Sequence, residues 1–466
     1  MVVHSDLINK IVDFYNRDDV SRMTAGKKET ITRNKQKRQK RLLTDTLINM
    51  HLKFKSELAK VSYSLFCRVR PFYVVPPTER DRETCTCKVH DNLQFVVDKL
   101  QNSKILPRLN VDSLCKAIVC STEIKQCMYG ECVNCKNSRL EFQCAHDLLL
   151  NVVTCQSCQN NDLKPKLVKF DPNEVVTCHQ WVTKIEDHDG KTSTVTVKEL
   201  ETISLHSLVD KFHTMLSKVR KHIFNIRHQY IQYRELRSKL TDTACMIHID
   251  FAENYLCQYN REIQSVHFGG SHKQTTMHTG VLYVGQQDPQ PFCTVSDSRM
   301  HDPVAIWCYL QPVLDDIAAN YPAVTNINFF SDGPTTQYRQ KKNFYLFSSM
   351  LSRFQCATWN FFESSHGKRP AYGVGAVLKR TADRLVRQGA DLPNARTVFE
   401  KLQSETAVKL FFVCSDLVDH TMLSSDYLAT LPSVPVTMML HQITIDCSMP
   451  GKLRYRDVSC FCSQLE

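Results

Sequence analysis

From residue 244 the spacing of apolar residues switches from helical to alternating, and the run that follows fixes the kind of domain this chain can build. ACMIHIDFAENY, MHTGVLYVG and PFCTVSDS read as three consecutive strands. Then come a helix over DPVAIWCYLQPVLDDIAANYP, a strand over VTNINFFSDG, a helix over YRQKKNFYLFSSMLSRF, a strand over CATWNFFES and a helix over YGVGAVLKRTADRLVRQG. The order β-β-β-α-β-α-β-α sets a hairpin meander before two αβ units. It predicts an α/β domain with a mixed sheet over residues 241–390, unlike the strict βαβ alternation of a dinucleotide-binding fold.

Three acids close three of these strands: Asp250 ends MIHID, Asp332 ends NFFSD and Glu363 ends WNFFE. In an open sheet the functional crevice lies at strand ends, so carboxylates from separate strands can converge there. Gathered carboxylates repel one another unless a divalent cation bridges them, and oxygen ligands with open water positions suit Mg²⁺ or Mn²⁺. Two such ions activate a water and stabilise a leaving 3′-oxygen in phosphodiester cleavage. Each acid alone has a plainer role, and Ser331-Asp332-Gly333-Pro334 is good turn chemistry in its own right. A pairing of Asp250 with Glu253, as in DEDD-type exonucleases, is disfavoured because D-x-x-E puts the two acids on opposite strand faces.

Cysteine is the compositional outlier, at 21 of 466 residues. The count is odd, the start MVVHSDLINKIVDFY has no uninterrupted apolar stretch, and no run reaches 18 apolar residues, so neither secretion nor membrane spanning is expected. In a reducing compartment dense cysteines point to metal ligands before disulfides. Eleven of the 21 lie between Cys85 and Cys178. Cys132-x2-Cys135 and Cys155-x2-Cys158, separated by 19 residues, have the spacing of a four-thiolate structural Zn²⁺ site in which each pair presents two sulfurs. Cys85-x-Cys87-x2-His90 is a second candidate, completed by Cys115 or Cys120. Cys127, Cys144, His146, Cys178 and His179 are either a third set or buried thiols with a surface histidine, and Cys460 and Cys462 are left open.

Charge is equally local. The formal net charge is +11, yet Lys27 to Arg41 holds eight basic residues against one acid, and Ser217 to Leu240 holds seven against one. The first run, with Lys35, Lys37, Arg38, Lys40 and Arg41, is poor in apolar side chains and reads as a basic arm or nuclear localisation signal leading into a helix over 43–60 capped by Thr44. The second lies on a long helix predicted over 204–240. Its stripe Leu216, Val219, Ile223, Ile226, Tyr230, Tyr233, Leu236 and Leu240 faces a core, while Lys218, Lys221, Arg227 and Arg234 face outward. Both segments are candidates for phosphate contacts with DNA, whose affinity would fall with salt. The plainer reading of the first is a solvated charge run.

Several blocks carry a resemblance. The strand order with Asp, Asp and Glu on the first, fourth and fifth strands resembles the RNase H-like catalytic domain of DDE transposases. HIDFAENY, FFSDGPTTQYRQKKNF and FFESSHGKRPAYGVGAVLKR, together with LFCRVRPFYV, TCTCKVHDN and YRDVSCFC, resemble a group of transposon-derived animal proteins. The resemblance implies metal-binding roles for Asp250, Asp332 and Glu363, a phosphate-touching loop at His366, Gly367 and Lys368, and DNA nicking followed by strand transfer. It also implies a nuclear protein that acts as a homo-oligomer. Two departures bear on activity: Arg369 stands where the pattern has Gly, and Tyr372-Gly373 stands where it has Asp-Gly, with Asp383 as a distant substitute. The rival is a domesticated or decayed relative that binds DNA or chromatin without cutting it.

The plan expected is therefore a basic helical region over 1–80, a cysteine-rich zinc-binding region over 81–200 with a β-hairpin around Asp189-Gly190, a linking basic helix, the mixed-sheet domain, and a C-terminal extension over 391–466 whose only readable feature is SCFC.

Overall fold

The computed structural model describes residues 2–17, 19–24, 30–76, 87–106, 109–140, 171–188, 191–270, 272–351, 354–364, 366, 370–446 and 452–462. It divides into two compact units, one of Met1–Cys85 with Gln229–Glu466 and one of Thr86–His228. Among the described residues no helix is long and apolar enough to cross a membrane.

The first unit opens with α1 (Val2–Tyr15), β1 (Ser21–Met23), β2 (Thr30–Arg33), β3 (Gln36–Gln39), β4 (Arg41–Leu43), α2 (Leu47–Glu57), α3 (Tyr63–Arg68) and β5 (Val74–Val75). Strands β1, β4 and β5 form a small sheet. Ile11, Phe14 and Tyr15 of α1 pack with Met50, Phe54 and Phe66 into a core of their own. From Thr30 on, the basic run is a hairpin and not an arm: β2 and β3 pair antiparallel from Thr30↔Gln39 to Arg33↔Gln36. Asn34 and Lys35 take positive φ at the turn, as a two-residue hairpin with the right-handed twist requires. The cap of α2 is Thr46, whose side chain accepts from the Asn49 amide, rather than Thr44.

The second unit holds α4 (Lys88–Asn102), α5 (Val111–Ala117), α6 (Lys125–Tyr129), the hairpin β6 (Val175–His188) with β7 (Lys191–Ser204), and the start of α7 (Leu205–Ser238), which from Gln229 belongs to the first unit. The hairpin and the long helix are those expected, though the helix ends at Ser238, and all eight stripe residues, seven on α7 and Leu240 just past it, are buried. Asn92 of α4 holds the hairpin by donating to the Trp181 carbonyl (2.9 Å) and accepting from its amide (2.7 Å).

The rest of the first unit is built on β8 (Ala244–Leu256), α8 (Gln264–His267), β9 (Gln274–Val284), β10 (Gln290–Ser296), α9 (Pro303–Asn320), β11 (Asn326–Ser331), α10 (Lys341–Met350), β12 (Cys356–Phe361) and α11 (Pro370–Arg387). It closes with α12 (Ala395–Gln403), β13 (Lys409–Val413), α13 (Ser415–Leu423), β14 (Gln442–Asp446) and β15 (Leu453–Arg456). Eight strands form one mixed sheet in the order β13-β10-β9-β8-β11-β12-β14-β15. Strands β8, β9 and β10 are an antiparallel meander, whereas β11 runs parallel to β8 and β12 parallel to β11. The segment 391–466 is no appendage, since β13 extends one edge of this sheet and β14 with β15 the other.

Alternation along β8 feeds two cores. Ile247 and Ile249 join Trp307, Phe329 and Trp359 on one face, and Met246 and Ala252 join Tyr233, Phe330 and Leu378 on the other. Gly375 lets α11 lie close on the sheet, because a Cβ there would stand 2.5 Å from the Ala252 Cβ. That approach sets the helix against the strand carrying Asp250.

Candidate functional site

Asp332 and Glu363 follow the ends of β11 and β12, whereas Asp250, expected to close its strand, lies in the middle of β8, which continues to Leu256. The pairing of β11 with β8 runs as far as Phe330↔His248. Two residues further, Asp332 stands level with Asp250 on the adjacent parallel strand, where neighbouring chains are about 4.8 Å apart. On the other side Ser331 pairs with Phe361 of β12, so Glu363 lies one residue beyond the level of the two aspartates. Register thus sets Asp250 beside Asp332 and leaves Glu363 one residue out of step, and the three are not among the described groups whose ligand atoms lie within 4.8 Å of one another.

The motif after Asp332 folds back on them. Tyr338 and Arg339, expected to begin a helix, instead precede α10, which starts at Lys341. Asn343 donates to the Tyr338 carbonyl (2.7 Å) and accepts from the Trp307 indole (2.8 Å), which fixes the loop. Tyr338 is fully buried and its hydroxyl lies 3.0 Å from His278 Nε2. Burial first, and the charges of Asp250 and Asp332 second, push that hydroxyl well above its usual range. Arg339 is 2% exposed and donates to the Phe362 and Met438 carbonyls at 3.2 Å each. Burial lowers its pKa while Glu363 and Asp332 favour its charge. Gly333 makes room for it, since a Cβ there would lie 2.4 Å from the guanidinium Nε.

Glu363 has a partner that no motif in the sequence marks. His441 Nε2 lies 2.8 Å from Glu363 Oε2, and its Nδ1–H donates to the Asp457 carbonyl at 2.7 Å. The terminal block supports this histidine from inside the core. Ser459 Oγ donates to Asn360 Oδ1 (2.8 Å) and its amide to Gln229 Oε1 (2.8 Å), while Phe461 is buried. YRDVSCFC therefore anchors the histidine that orients the third carboxylate.

Other acids do not join the set. Glu253 is exposed and paired with Lys379 at 3.6 Å. Asp383 faces Tyr255, whose hydroxyl is raised by burial first and by that carboxylate second. Asp383 is accordingly no substitute for the residue missing at Tyr372. His366 is held through its carbonyl by the Tyr230 hydroxyl (2.9 Å), and Gly367, Lys368 and Arg369 lie outside the described residues.

The cysteine-rich unit brings together a different four from those expected. The ligand atoms of Cys120, Cys127, Cys132 and Cys135 lie within 4.8 Å of one another, an arrangement able to hold a metal ion. Cys132 and Cys135 are the predicted knuckle, with backbone amides of Asn134 and Cys135 lowering the Cys132 thiol to about 7. Cys120 and Cys127 complete the set, so Cys155 and Cys158, which lie outside the described residues, are not required for it. α6, which carries Cys127, docks on α7 through Tyr129. The Tyr129 hydroxyl donates to Asn225 Oδ1 (2.7 Å), and Lys221 lies over its ring at 4.4 Å.

The second expected set is also redrawn. Cys85 lies outside the described residues. Cys120 belongs to the four-thiolate group, and Cys115 is a core thiol that burial pushes up to about 12. Cys87 and His90 instead meet His222 of α7.

The basic residues sort into exposed and structural. Lys35, Lys37, Arg38 and Lys218 are exposed, and Lys40 is half-buried. Arg41 is buried, bonding the Ser21 hydroxyl at 2.8 Å and the Ser21 carbonyl, so it holds β1 to β4 and is not a phosphate contact. Lys221 is committed to Tyr129, and Arg227 pairs with Asp112 at 3.1 Å. Arg234 is exposed and bonds back to the Tyr230 carbonyl at 3.4 Å. The outward face of α7 is therefore less available to DNA than its sequence implied. Arg380 of α11 donates to Gln39 at 2.8 Å, fixing the root of the basic hairpin against the helix that packs on β8. Unforeseen from sequence is a cleft of about 520 Å³ at the β9–β10 end of the sheet, lined by Lys273, Arg299 and Arg396 together with Asp297, with Arg396 lying over the Phe412 ring.

A salt-dependence test separates these classes. Lys37→Ala with Arg38→Ala should lower duplex DNA affinity and reduce the slope of log K against log salt by about 2, one for each phosphate no longer neutralised. Arg41→Ala should leave the slope unchanged and lower the Tm. Fluorescence anisotropy over a salt series, with a thermal melt of each variant, reads both.

Comparison with known families adds boundaries and no activity. Residues 228–459 match a domain of unknown function (DUF8701), and residues 2–78 match another domain of unknown function (DUF8699). The first takes in all three acids, Arg339 and His441, and ends at Ser459; the second takes in the basic hairpin. No curated protein and no solved structure matches the chain.

Proposed function

We propose that this is a transposase-like nuclear protein that grips DNA through its basic hairpin and sheet-edge cleft and cuts it at an RNase H-like carboxylate site. The observation that carries the reading is the register: Asp250 and Asp332 are level on adjacent parallel strands, with Glu363 one residue beyond. The strand order supports it as well, because a meander followed by two strands parallel to its first member is what an RNase H-like sheet requires. Three carboxylates beside one buried guanidinium retain an excess of negative charge, and hard oxygen donors suit Mg²⁺ or Mn²⁺. Bound there, such ions would supply Lewis acidity and lower the pKa of a bound water. Asp250 and Asp332 would hold them, and Glu363, set by His441, would complete the site and orient the attacking oxygen. A structural Zn²⁺ would sit among Cys120, Cys127, Cys132 and Cys135, a soft four-thiolate set of the kind that takes zinc.

The test is nicking of supercoiled and terminal-repeat DNA by purified protein with Mn²⁺, beside Asp332→Asn. Cleavage that needs the metal and disappears in the variant supports the proposal. Salt-sensitive binding without cleavage supports the second reading, a DNA- or chromatin-binding relative that has lost catalysis. That reading is favoured by the Glu363–His441 contact and by Arg339, a fixed cation beside two of the acids.

A further inference from the structure

We infer that Cys87, His90 and His222 form a second metal centre, distinct from the four-thiolate set, that takes a borderline-soft divalent ion of the zinc type. The three ligand atoms lie within 4.8 Å of one another, and Cys87 Sγ is 3.2 Å from His222 Nε2. A tetrahedral Zn²⁺ with its usual bond lengths to sulfur and imidazole separates those two atoms by roughly 3.5 Å. Local structure explains the convergence. Cys87 is the N-cap of α4, and His90, three residues on, lies on the same face of its first turn. The Cys87 side chain makes no capping bond to the α4 amides and turns instead to His222. That residue and Cys87 are 6% and 7% exposed, so the thiol and imidazole have been taken out of water together. A thiol–imidazole hydrogen bond accounts for one of the contacts, but not for His90, whose ring centroid lies 5.0 Å from that of His222.

The donor set decides the ion. One thiolate and two imidazoles are poor ligands for Mg²⁺ or Ca²⁺ and good ones for Zn²⁺. The consequence is mechanical: the ion would tie the start of α4 to the middle of α7, the helix on which α6 and its Cys127 also dock. This centre is independent of the carboxylate chemistry and of whether the protein cuts DNA.

The experiment is metal counting on the full chain by elemental mass spectrometry, with Co²⁺ substitution as a second readout. His222→Ala should lower bound zinc by one equivalent relative to wild type, and Cys132→Ser should remove a different one. Co²⁺-loaded wild type should show the absorption of a mixed nitrogen–sulfur site together with that of an all-sulfur site, and His222→Ala should lose only the former. If His222→Ala does not fold, the wild-type protein alone decides, through its zinc content and its Co²⁺ spectrum. A wild type with no more than one zinc, a purely all-sulfur spectrum, or zinc content unchanged in His222→Ala would overturn the inference and leave a thiol–imidazole hydrogen bond.

Discussion

Asp250→Asn and Asp332→Asn should each slow metal-dependent nicking by about 10³-fold or more, which corresponds to roughly 4 kcal/mol of transition-state stabilisation. Glu253→Gln should leave the rate unchanged. The contrast follows from placement: the two aspartates are level on adjacent strands and both act on buried Tyr338, whereas Glu253 points to solvent and meets Lys379. The size follows from the chemistry, since an amide in place of a ligating carboxylate removes a charge as well as an oxygen donor. DNA affinity at low metal should persist in both variants, because the basic hairpin and cleft are untouched. A filter-binding assay beside the nicking assay separates the two effects.

The second large effect concerns the thiolates. Cys127→Ser should release one zinc and unfold the segment around α5 and α6, and a strong chelator should do the same to wild type. Structural zinc in small lobes contributes an apparent ~10–16 kcal/mol of binding free energy that is also folding free energy. Regular structure in the 120–135 stretch is short: α6 is five residues long, and apart from buried Met128 and the docked Tyr129 much of it faces solvent, Val133 included. The loss should propagate to the Tyr129–Asn225 bond on α7. Hydrogen exchange would read it as lost protection over 110–140, with the carboxylate sheet unaffected. Cys115→Ser is the control and should retain all the zinc.

The sheet was legible because its strands bury one or both faces, so alternation and length identify them; Asp332 and Glu363 follow strand ends as their blocks imply, whereas Asp250 sits inside β8, which runs six residues past it. What failed has physical reasons. The β2–β3 ribbon is polar on both faces and leaves no apolar period to read, and Asn34-Lys35 is only half of the Asn-Gly signal that marks such turns. Tyr338 and Arg339 fit the apolar spacing of α10, so the tight loop that returns them to the carboxylates was hidden. His441 and His222 reach their sites across 78 and 135 residues from Glu363 and Cys87, and no local spacing encodes that distance. Spacing alone assigns Cys120 to the Cys85–Cys87–His90 set and Cys127 to a third, because a second C-x2-C stands further along the chain. Tertiary contact, rather than motif symmetry, brings Cys120 and Cys127 together with Cys132 and Cys135.

Cation binding by the three acids is tested most directly by thermal melting with and without Mn²⁺. Asp332→Asn removes a charge level with Asp250 but also one that favours the buried Arg339 cation, so each protein is compared with itself, with and without the metal. Saturating Mn²⁺, at about 100 times its Kd, should stabilise wild type by roughly 2.7 kcal/mol, a shift of several degrees. The metal should therefore raise the Tm of wild type and leave Asp332→Asn unmoved. Equal shifts in both proteins, or none in wild type, would contradict a cation site at these carboxylates.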